Sequence, residues 1–336
     1  MADPLSIHSA PSGRFVGLLT LVAALTRAPA ALAVWSFELV LALAPALMNE
    51  AWLRDVLASK RAMREQFANF DAIARFDFRT QLAQLDSSTA QLGAVLALLA
   101  MIAGCFAAGG WCQCFLEPPW EPTLRTFARG GARFFARNLR VLVLTLLVLG
   151  GLGWVCYGLP WTKLVLGLGF HVPASDFERL ESLHTEDLAL GLRIAQQALF
   201  GLGFGLILTW GDYLRASLAR SDRRGVLGEA IDVFAKLLRH PVRTLRPMLA
   251  LFLFEAFVVT AGGAIVQRWQ ASLEDVPRLR TVALMGALAA WILFVRCLVR
   301  GARYHAALRA LRELDRPRPR TEAAQAPVAS EAALPA

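Results

Sequence analysis

The sequence predicts an all-α, polytopic membrane protein with six spanning helices, and three observations support this fold class. Hydrophobic residues make up 56% of the 336 residues and only 18% are charged, which is too apolar for an ordinary soluble domain. Several apolar runs reach the roughly 20 residues that cross the hydrocarbon core of a bilayer. The basic residues concentrate in short segments beside these runs, so the partner expected for the net charge of +9 is a membrane surface and not nucleic acid.

The predicted spans form one transmembrane domain over residues 1–314. They are runs with few or no charged residues, and prolines mark several of their ends. The spans are predicted at 28–49, 91–116, 141–162, 190–213, 247–267 and 281–300. Residues 50–86 are predicted to form a helical segment outside the bilayer, on the extracytoplasmic side. Residues 315–336 are rich in Arg, Pro, Ala and Glu, a composition that predicts a disordered cytoplasmic tail.

Two basic stretches, 123–138 and 225–240, are predicted to be amphipathic helices at the cytoplasmic membrane surface. Arg125, Arg129, Arg133 and Arg137 recur every fourth residue, so they follow one side of a helix. The opposite side is apolar and comprises Leu124, Phe127, Phe134 and Phe135. In the second stretch an apolar stripe comprises Leu227, Ile231, Phe234 and Leu238. This pattern predicts that apolar side chains enter the acyl boundary while guanidinium groups bind anionic headgroups.

A weak internal repeat divides the chain into three parallel two-helix units. Arg27-Ala28-Pro29, Arg137-Asn138-Leu139 and Arg239-His240-Pro241 each lie where an apolar segment meets a span, with spacings of 110 and 102 residues. The alternative explanation is geometric, because every hairpin in a six-helix protein has a similar length.

The distribution of basic residues predicts the orientation. The flanks 1–27, 117–140, 212–247 and 300–336 contain 22 Lys and Arg residues, whereas the flanks 49–90, 161–187 and 268–280 contain 11. The positive-inside rule then places the first set in the cytoplasm, with both termini.

Apart from Arg300, the last residue of the sixth span, five charged residues lie inside predicted spans: Glu38, Arg193, Asp212, Glu255 and Arg296. Unpaired charges at this depth cost several kcal/mol, so each is expected to have a partner or a function. Glu255 and Arg296 lie about eight and four residues from the cytoplasmic ends of neighbouring spans, so we predict that they pair. The sixth span reaches full length only if Arg296 and Arg300 snorkel or find partners. Proton or ion handling by Glu38 and Glu255 is the alternative to a packing role.

No residue pattern predicts a catalytic residue, a metal site or a cofactor. The five histidines are scattered and lack the H-E-x-x-H spacing of a zinc site. Gly201 and Gly205 are expected to allow close helix packing. The five cysteines are expected to be small buried residues. Tryptophans near the predicted span ends are expected to anchor at headgroup level, namely Trp111, Trp120, Trp154, Trp161 and Trp210.

Three short motifs carry a resemblance to a known group of proteins. They are the Arg27-Ala28-Pro29 junction before a span, Asn69-Phe70-Asp71, and Asp212-Tyr213 leading into a basic helix that ends Leu238-Arg239-His240-Pro241. Over about residues 13–310 the chain resembles six-helix bacterial membrane proteins, similar in layout to the membrane domain joined to some glycerophosphodiester phosphodiesterases. The resemblance implies a bacterial inner-membrane protein without an assigned reaction. The tail of about 25 residues is expected to be too short for a phosphodiesterase domain.

The sequence therefore predicts a non-enzymatic structural, scaffold or accessory protein of the inner membrane. Its partners are expected to be anionic lipids and either another protein or a second copy of the chain. The predicted headgroup-binding residues are Arg125, Arg129, Arg133, Arg137, Arg239 and Arg243. The alternative is a small transporter or lipid-handling permease that uses Glu38, Glu255 and Arg296.

Overall fold

The computed structural model describes residues 16–59, 79–170, 186–221, 225–271 and 279–315, and over them the chain is 95% helical without a strand. A π-helical segment, Trp161–Gly169, follows the fourth helix. The α-helices are α1 Val16–Leu25, α2 Ala28–Ser59, α3 Arg79–Leu116, α4 Thr123–Tyr157, α5 Glu186–Ser221, α6 Val226–Arg239, α7 Pro241–Ala271 and α8 Leu279–Asp315.

Six of these helices are long and apolar enough to cross a membrane: α2, α3, α4, α5, α7 and α8. The prediction of an all-α polytopic fold is therefore confirmed. The helices are longer than the predicted spans. α8 has 37 residues and is about 55 Å long at 1.5 Å per residue, against roughly 30 Å of hydrocarbon. Part of α8 therefore projects out of the hydrocarbon.

The central part of the predicted extracytoplasmic segment 50–86 lies outside the described residues, as do Asn69–Asp71 and the predicted tail beyond 315. The flanks of that segment are described. α2 continues to Ser59 and α3 begins at Arg79, so each spanning helix extends into it.

The main hydrophobic core lies at one end of the helix bundle. It gathers the first turns of α2, α4 and α7 with the last turns of α3, α5 and α8, and it includes Trp111, Tyr213, Leu308 and Leu311. Only 6–22% of each spanning window is buried inside the protein. Six helices that alternate in direction therefore pack tightly at one end and expose most of their apolar surface along the rest of their length.

Proline explains why two of the spans have a separate helix before them. Pro29 lies in the first turn of α2 and Pro241 begins α7, and a proline ring obstructs the carbonyl four residues earlier. α1 and α6 consequently end just before them. The middle site of the predicted repeat has Leu139 instead, and α4 runs without a break from Thr123 to Tyr157. The predicted interfacial stretch 123–138 and most of the following span are thus one continuous helix.

α3 and α4 form the most intimate helix pair, because glycines let their backbones approach. A Cβ on Gly109 would lie 2.7 Å from the carbonyl oxygen of Gly130, which is closer than van der Waals contact allows. About two turns further along α4, the Asn138 side-chain amide donates a hydrogen bond to the Cys105 carbonyl of α3 at 2.9 Å. The segment 123–138 is therefore fixed against α3.

Two packing predictions are wrong and one is confirmed. Gly201 and Gly205 face open space, and it is Gly203 that contacts a neighbouring helix, through the Leu152 side chain of α4. Trp111 is fully buried, stacked on Phe115, and so it does not anchor at headgroup level. The five cysteines are free and buried, as predicted.

Candidate functional site

Three arginines of α8 follow one side of the helix near the core. Arg296, Arg300 and Arg303 are spaced by four and three residues, which places their side chains above one another. α8 packs against α2, α5 and α7, so an arginine stripe on it can reach several helices at once.

Each of these arginines meets a carboxylate from a different helix. Arg300 Nη1 donates to Glu38 Oε1 of α2 at 2.6 Å, and Arg296 Nε donates to Glu255 Oε1 of α7 at 3.1 Å. Arg303 Nε lies 2.9 Å from Asp212 Oδ2 of α5, an ion pair without the linear geometry of a hydrogen bond.

Two further contacts join the Arg296 and Arg303 pairs, and the Glu38–Arg300 pair lies beside them on α8. Arg303 Nη1 also lies 3.7 Å from Glu255 Oε2, and Arg215 Nη1 donates to Asp212 Oδ1 at 3.3 Å. We define the charged cluster as Glu38, Asp212, Arg215, Glu255, Arg296, Arg300 and Arg303. It contains three carboxylates and four guanidinium groups, so its formal charge is +1.

The solvent exposure of the charged cluster varies along α8. The Asp212 side chain is 2% exposed, whereas Arg296 is 50% exposed. Removing one partner of a buried ion pair costs about 3–5 kcal/mol because the other charge is left uncompensated. The Asp212–Arg303 pair is thus a structural tie between α5 and α8, while the Glu255–Arg296 pair is open to exchange with its surroundings.

The structure brings together four of the five charges that the sequence places inside spans. The predicted Glu255–Arg296 pair is confirmed, Asp212 is joined to it through Arg303, and Glu38 pairs with Arg300 one turn away on α8. Arg193 lies apart, exposed in the third turn of α5. Sequence reasoning missed Arg303 and Arg215 and assigned no partner to Arg300. The spacing of 296, 300 and 303 is the signal that would have found two of them.

An apolar groove of about 400 Å³ lies beside the charged cluster. α2, α3 and α4 form its walls, and Glu38 and Arg300 are its charged lining residues. The other lining residues are apolar and mostly small: Ala33, Val34, Phe37, Ala100, Ala103, Gly104, Phe106, Ala107, Leu124, Phe127 and Ala128.

The α4 arginine stripe, defined as Arg125, Arg129, Arg133 and Arg137, lies on the outer side of α4. The first three are exposed and the last is half-buried. The expectation that Phe127 and Phe134 enter the acyl boundary is wrong, because α3 covers both rings. The guanidinium carbons of Arg133 and Arg137 lie 5.3 and 5.6 Å from the Phe134 ring centroid, within the range of a cation–π contact.

Two carboxylates of the loop 117–122 form ion pairs with Arg129 of the α4 arginine stripe. Arg129 lies 3.6 Å from Glu117 and 3.8 Å from Glu121. Burial raises the pKa of Glu117, but hydrogen bonds, including one from Gln113, and the charge of Arg129 outweigh burial and hold the pKa below its ordinary value. Glu117 is therefore a carboxylate near neutral pH and partly neutralises Arg129.

Arg27, at the turn between α1 and α2, binds the same loop from the inside. It is buried, and its Nη2 donates to the carbonyls of Glu117 and Pro118, both at 3.2 Å. A cation at the carboxyl end of a helix is favourable because the last carbonyls of α3 carry partial negative charge. Arg27 thus fixes the loop that presents Glu117.

Arg239 and Arg243, the remaining predicted headgroup residues, flank the turn between α6 and α7. Both are exposed, and together with His240, Pro241 and Val242 they line a shallow surface pocket of about 250 Å³. The adjoining face of α6 is apolar and exposed, and it consists of Leu227, Ile231, Phe234 and Leu238.

Among the described residues no group of three or more His, Cys, Asp or Glu side chains could hold a metal ion. Comparison with protein-family models, with curated proteins and with solved structures finds no match. The fold defines the class, a polytopic all-α membrane protein, and the resemblance to the membrane domain of some phosphodiesterases stays a prediction.

Proposed function

We propose that this is a non-enzymatic structural or accessory protein of the bacterial inner membrane that binds anionic lipid headgroups and a protein partner. The observation that carries the proposal is the α4 arginine stripe, which points outward from a helix whose other side is locked against α3. Both termini are proposed to be cytoplasmic, because the flanks at the packed end of the bundle carry twice as many basic residues as those at the other end.

The magnitude of the electrostatic attraction favours lipid over a merely solvated surface. Each Lys or Arg close to an anionic leaflet contributes about 1 kcal/mol. Arg125 and Arg133 are exposed, and a rigid helix holds them in register, so little backbone freedom is lost on binding. Arg129 contributes less because Glu117 and Glu121 share its charge.

Native mass spectrometry of the purified protein with phosphatidylglycerol tests this proposal. Changing Arg125, Arg129, Arg133 and Arg137 to Gln is expected to lower the number of retained lipids. The matched control changes three exposed arginines from the other end of the bundle, Arg193, Arg268 and Arg280, to Gln. Equal retention by the two variants would refute headgroup binding at the stripe.

A transporter or lipid-handling permease is the second candidate, and one observation favours it. Glu38 and Arg300 line the groove, so part of the charged cluster faces a cavity. Cys297 is a native reporter, because its thiol lies 3.5 Å from Glu38 Oε2. A dry structural cluster predicts that a small, charged methanethiosulfonate reagent leaves Cys297 unmodified in intact membranes. Rapid modification at Cys297, mapped by peptide mass spectrometry, would favour a water-filled pathway and the transporter.

A further inference from the structure

The groove between α2, α3 and α4 is open on the outside of the bundle. Ala33, Ala100, Leu124 and Ala128, which line it from three helices, are all exposed. These helices are candidate membrane spans, and lipid therefore surrounds most of their outer surface. A molecule that enters the groove sideways comes from the bilayer.

The walls of the groove suit a flexible hydrocarbon chain. Six of the lining residues are alanine or glycine, so the helix backbones form smooth walls, and Phe37, Phe106 and Phe127 border the space between them. On α3 the lining runs from Ala100 to Ala107, about 11 Å of helix at 1.5 Å per residue. The volume of about 400 Å³ lies within the roughly 300–1,000 Å³ of small-ligand sites.

The charged lining residues of the groove, Glu38 and Arg300, favour a ligand with one polar group. Arg300 uses Nη1 for Glu38, and a guanidinium carries five N–H donors in total. The Arg300 side chain is one-third exposed, so a carbonyl oxygen in the groove can accept a hydrogen bond from it. An ester-linked lipid carries such a carbonyl at the head of each acyl chain.

The open edge of the groove adjoins the α4 arginine stripe. Leu124 and Ala128 line the groove, and Arg125 and Arg129 each follow one residue later on the same helix. A phosphate bound by these arginines therefore places its acyl chains at the mouth of the groove. The charge on the rim and the apolar interior match the two parts of one molecule.

We propose that the groove holds one acyl chain of a membrane phospholipid, with the lipid phosphate at Arg125 and Arg129 and an ester carbonyl at Arg300. The site is separate from headgroup binding along the rest of the stripe, and it makes the protein selective for a lipid with an intact chain and not only for negative charge.

Filling the groove with a larger side chain tests this inference. A Cβ on Gly104 would meet no atom within 4 Å, so Gly104→Leu fills the groove without a backbone clash. Gly93→Leu is the matched control, because Gly93 lies on the same helix, is exposed and also faces open space, but does not line the groove. In native mass spectrometry with phosphatidylglycerol, Gly104→Leu is expected to retain one lipid fewer than Gly93→Leu.

A second measurement locates the chain. Phosphatidylglycerol with a photoreactive group in the middle of one acyl chain is expected to label the peptide that contains residues 100–107 in the wild-type protein. Gly104→Leu is expected to lose most of this labelling, whereas Gly93→Leu keeps it. If Gly104→Leu does not fold, Ala100→Leu replaces it. Ala100 is exposed on the same wall, and this variant is also expected to lose most of the labelling of residues 100–107.

Three outcomes would overturn the inference. One is equal lipid retention by the groove variants and Gly93→Leu, and another is labelling of 100–107 that the groove variants do not reduce. The third is retention of a free fatty acid but not of phosphatidylglycerol. If groove filling has no effect but replacement of the α4 arginine stripe still removes lipid, headgroup binding stands and only the acyl-chain site fails.

Discussion

The two stretches that the sequence predicts to lie at the membrane surface are built in different ways. In α6 the apolar stripe is exposed, with Ile231 73% accessible, and a second apolar side that includes Val233 packs into the core. In the first half of α4 the aromatic side is covered, with Phe134 only 2% accessible. α6 can therefore dip into lipid, whereas this part of α4 offers the bilayer its arginines.

The difference depends on one residue at matching sites of the predicted repeat and on the neighbouring helix. α6 ends at Arg239, the backbone of His240 is not helical and Pro241 begins α7, whereas Leu139 lets α4 continue. α4 runs antiparallel to α3 without a break, and Gly109 and Gly130 bring the two backbones together. An amphipathic pattern shows which side of a helix is apolar, but not whether lipid or protein covers it.

The largest expected difference between the two stretches is in the free energy of unfolding that is lost when a phenylalanine is replaced by alanine. Phe134→Ala leaves a cavity between α3 and α4 and is expected to lower the free energy of unfolding by about 3–5 kcal/mol. Phe234→Ala, on the exposed stripe of α6, is expected to change it by less than about 0.5 kcal/mol. Thermal unfolding in the same detergent compares the two. Similar destabilisation by both variants would show that protein, not lipid, covers α6.

A smaller contrast is expected for glycines. Gly130→Ala pushes a methyl group into α3 and is expected to cost about 1–3 kcal/mol. Gly228→Ala, in the first turn of α6, meets no atom within 4 Å and should be neutral or slightly stabilising, because alanine is the better helix former by about 1 kcal/mol. Melting temperatures of the two variants measure the contrast. An unaffected Gly130→Ala protein would mean that α3 and α4 are farther apart.

The smallest expected effect concerns Arg129, which the 117–122 loop holds. The pKa of Glu117 is lower in the folded protein, so ionised Glu117 stabilises the fold above the ordinary Glu pKa of about 4.3. This stabilisation is lost as the pH falls through the lowered value. Glu117→Gln is therefore expected to be slightly less stable than wild type at pH 7, with a difference that shrinks at pH 4 and below. A pH-independent difference would contradict the pairing with Arg129.

Sequence reasoning reached the fold class because apolar runs of membrane length are a strong signal. It also found the Glu255–Arg296 pair, since both charges lie at similar depth in neighbouring spans. It missed Arg303 and Arg215 because both lie beyond the predicted end of their spans, where a charge costs little even without a partner.

The groove could not be predicted from the sequence, for a different reason. Its small lining residues are five alanines and one glycine from three helices, and such residues show no pattern until the helices are assembled. The burial of Phe127 and Phe134 likewise depends on the contact of α4 with α3, which a helical-wheel pattern does not encode.

The most direct test of the contrast between the two stretches is site-directed spin labelling in lipid bilayers, with single cysteines introduced at Ile231, Phe134 and Arg133. All five native cysteines are buried, which limits background labelling. Ile231→Cys is expected to collide with oxygen, which dissolves in lipid. Arg133→Cys should collide with a water-soluble nickel complex, whereas Phe134→Cys is expected to resist labelling as the buried native cysteines do. An oxygen-accessible Phe134→Cys, or an Ile231→Cys shielded from both agents, would contradict this account.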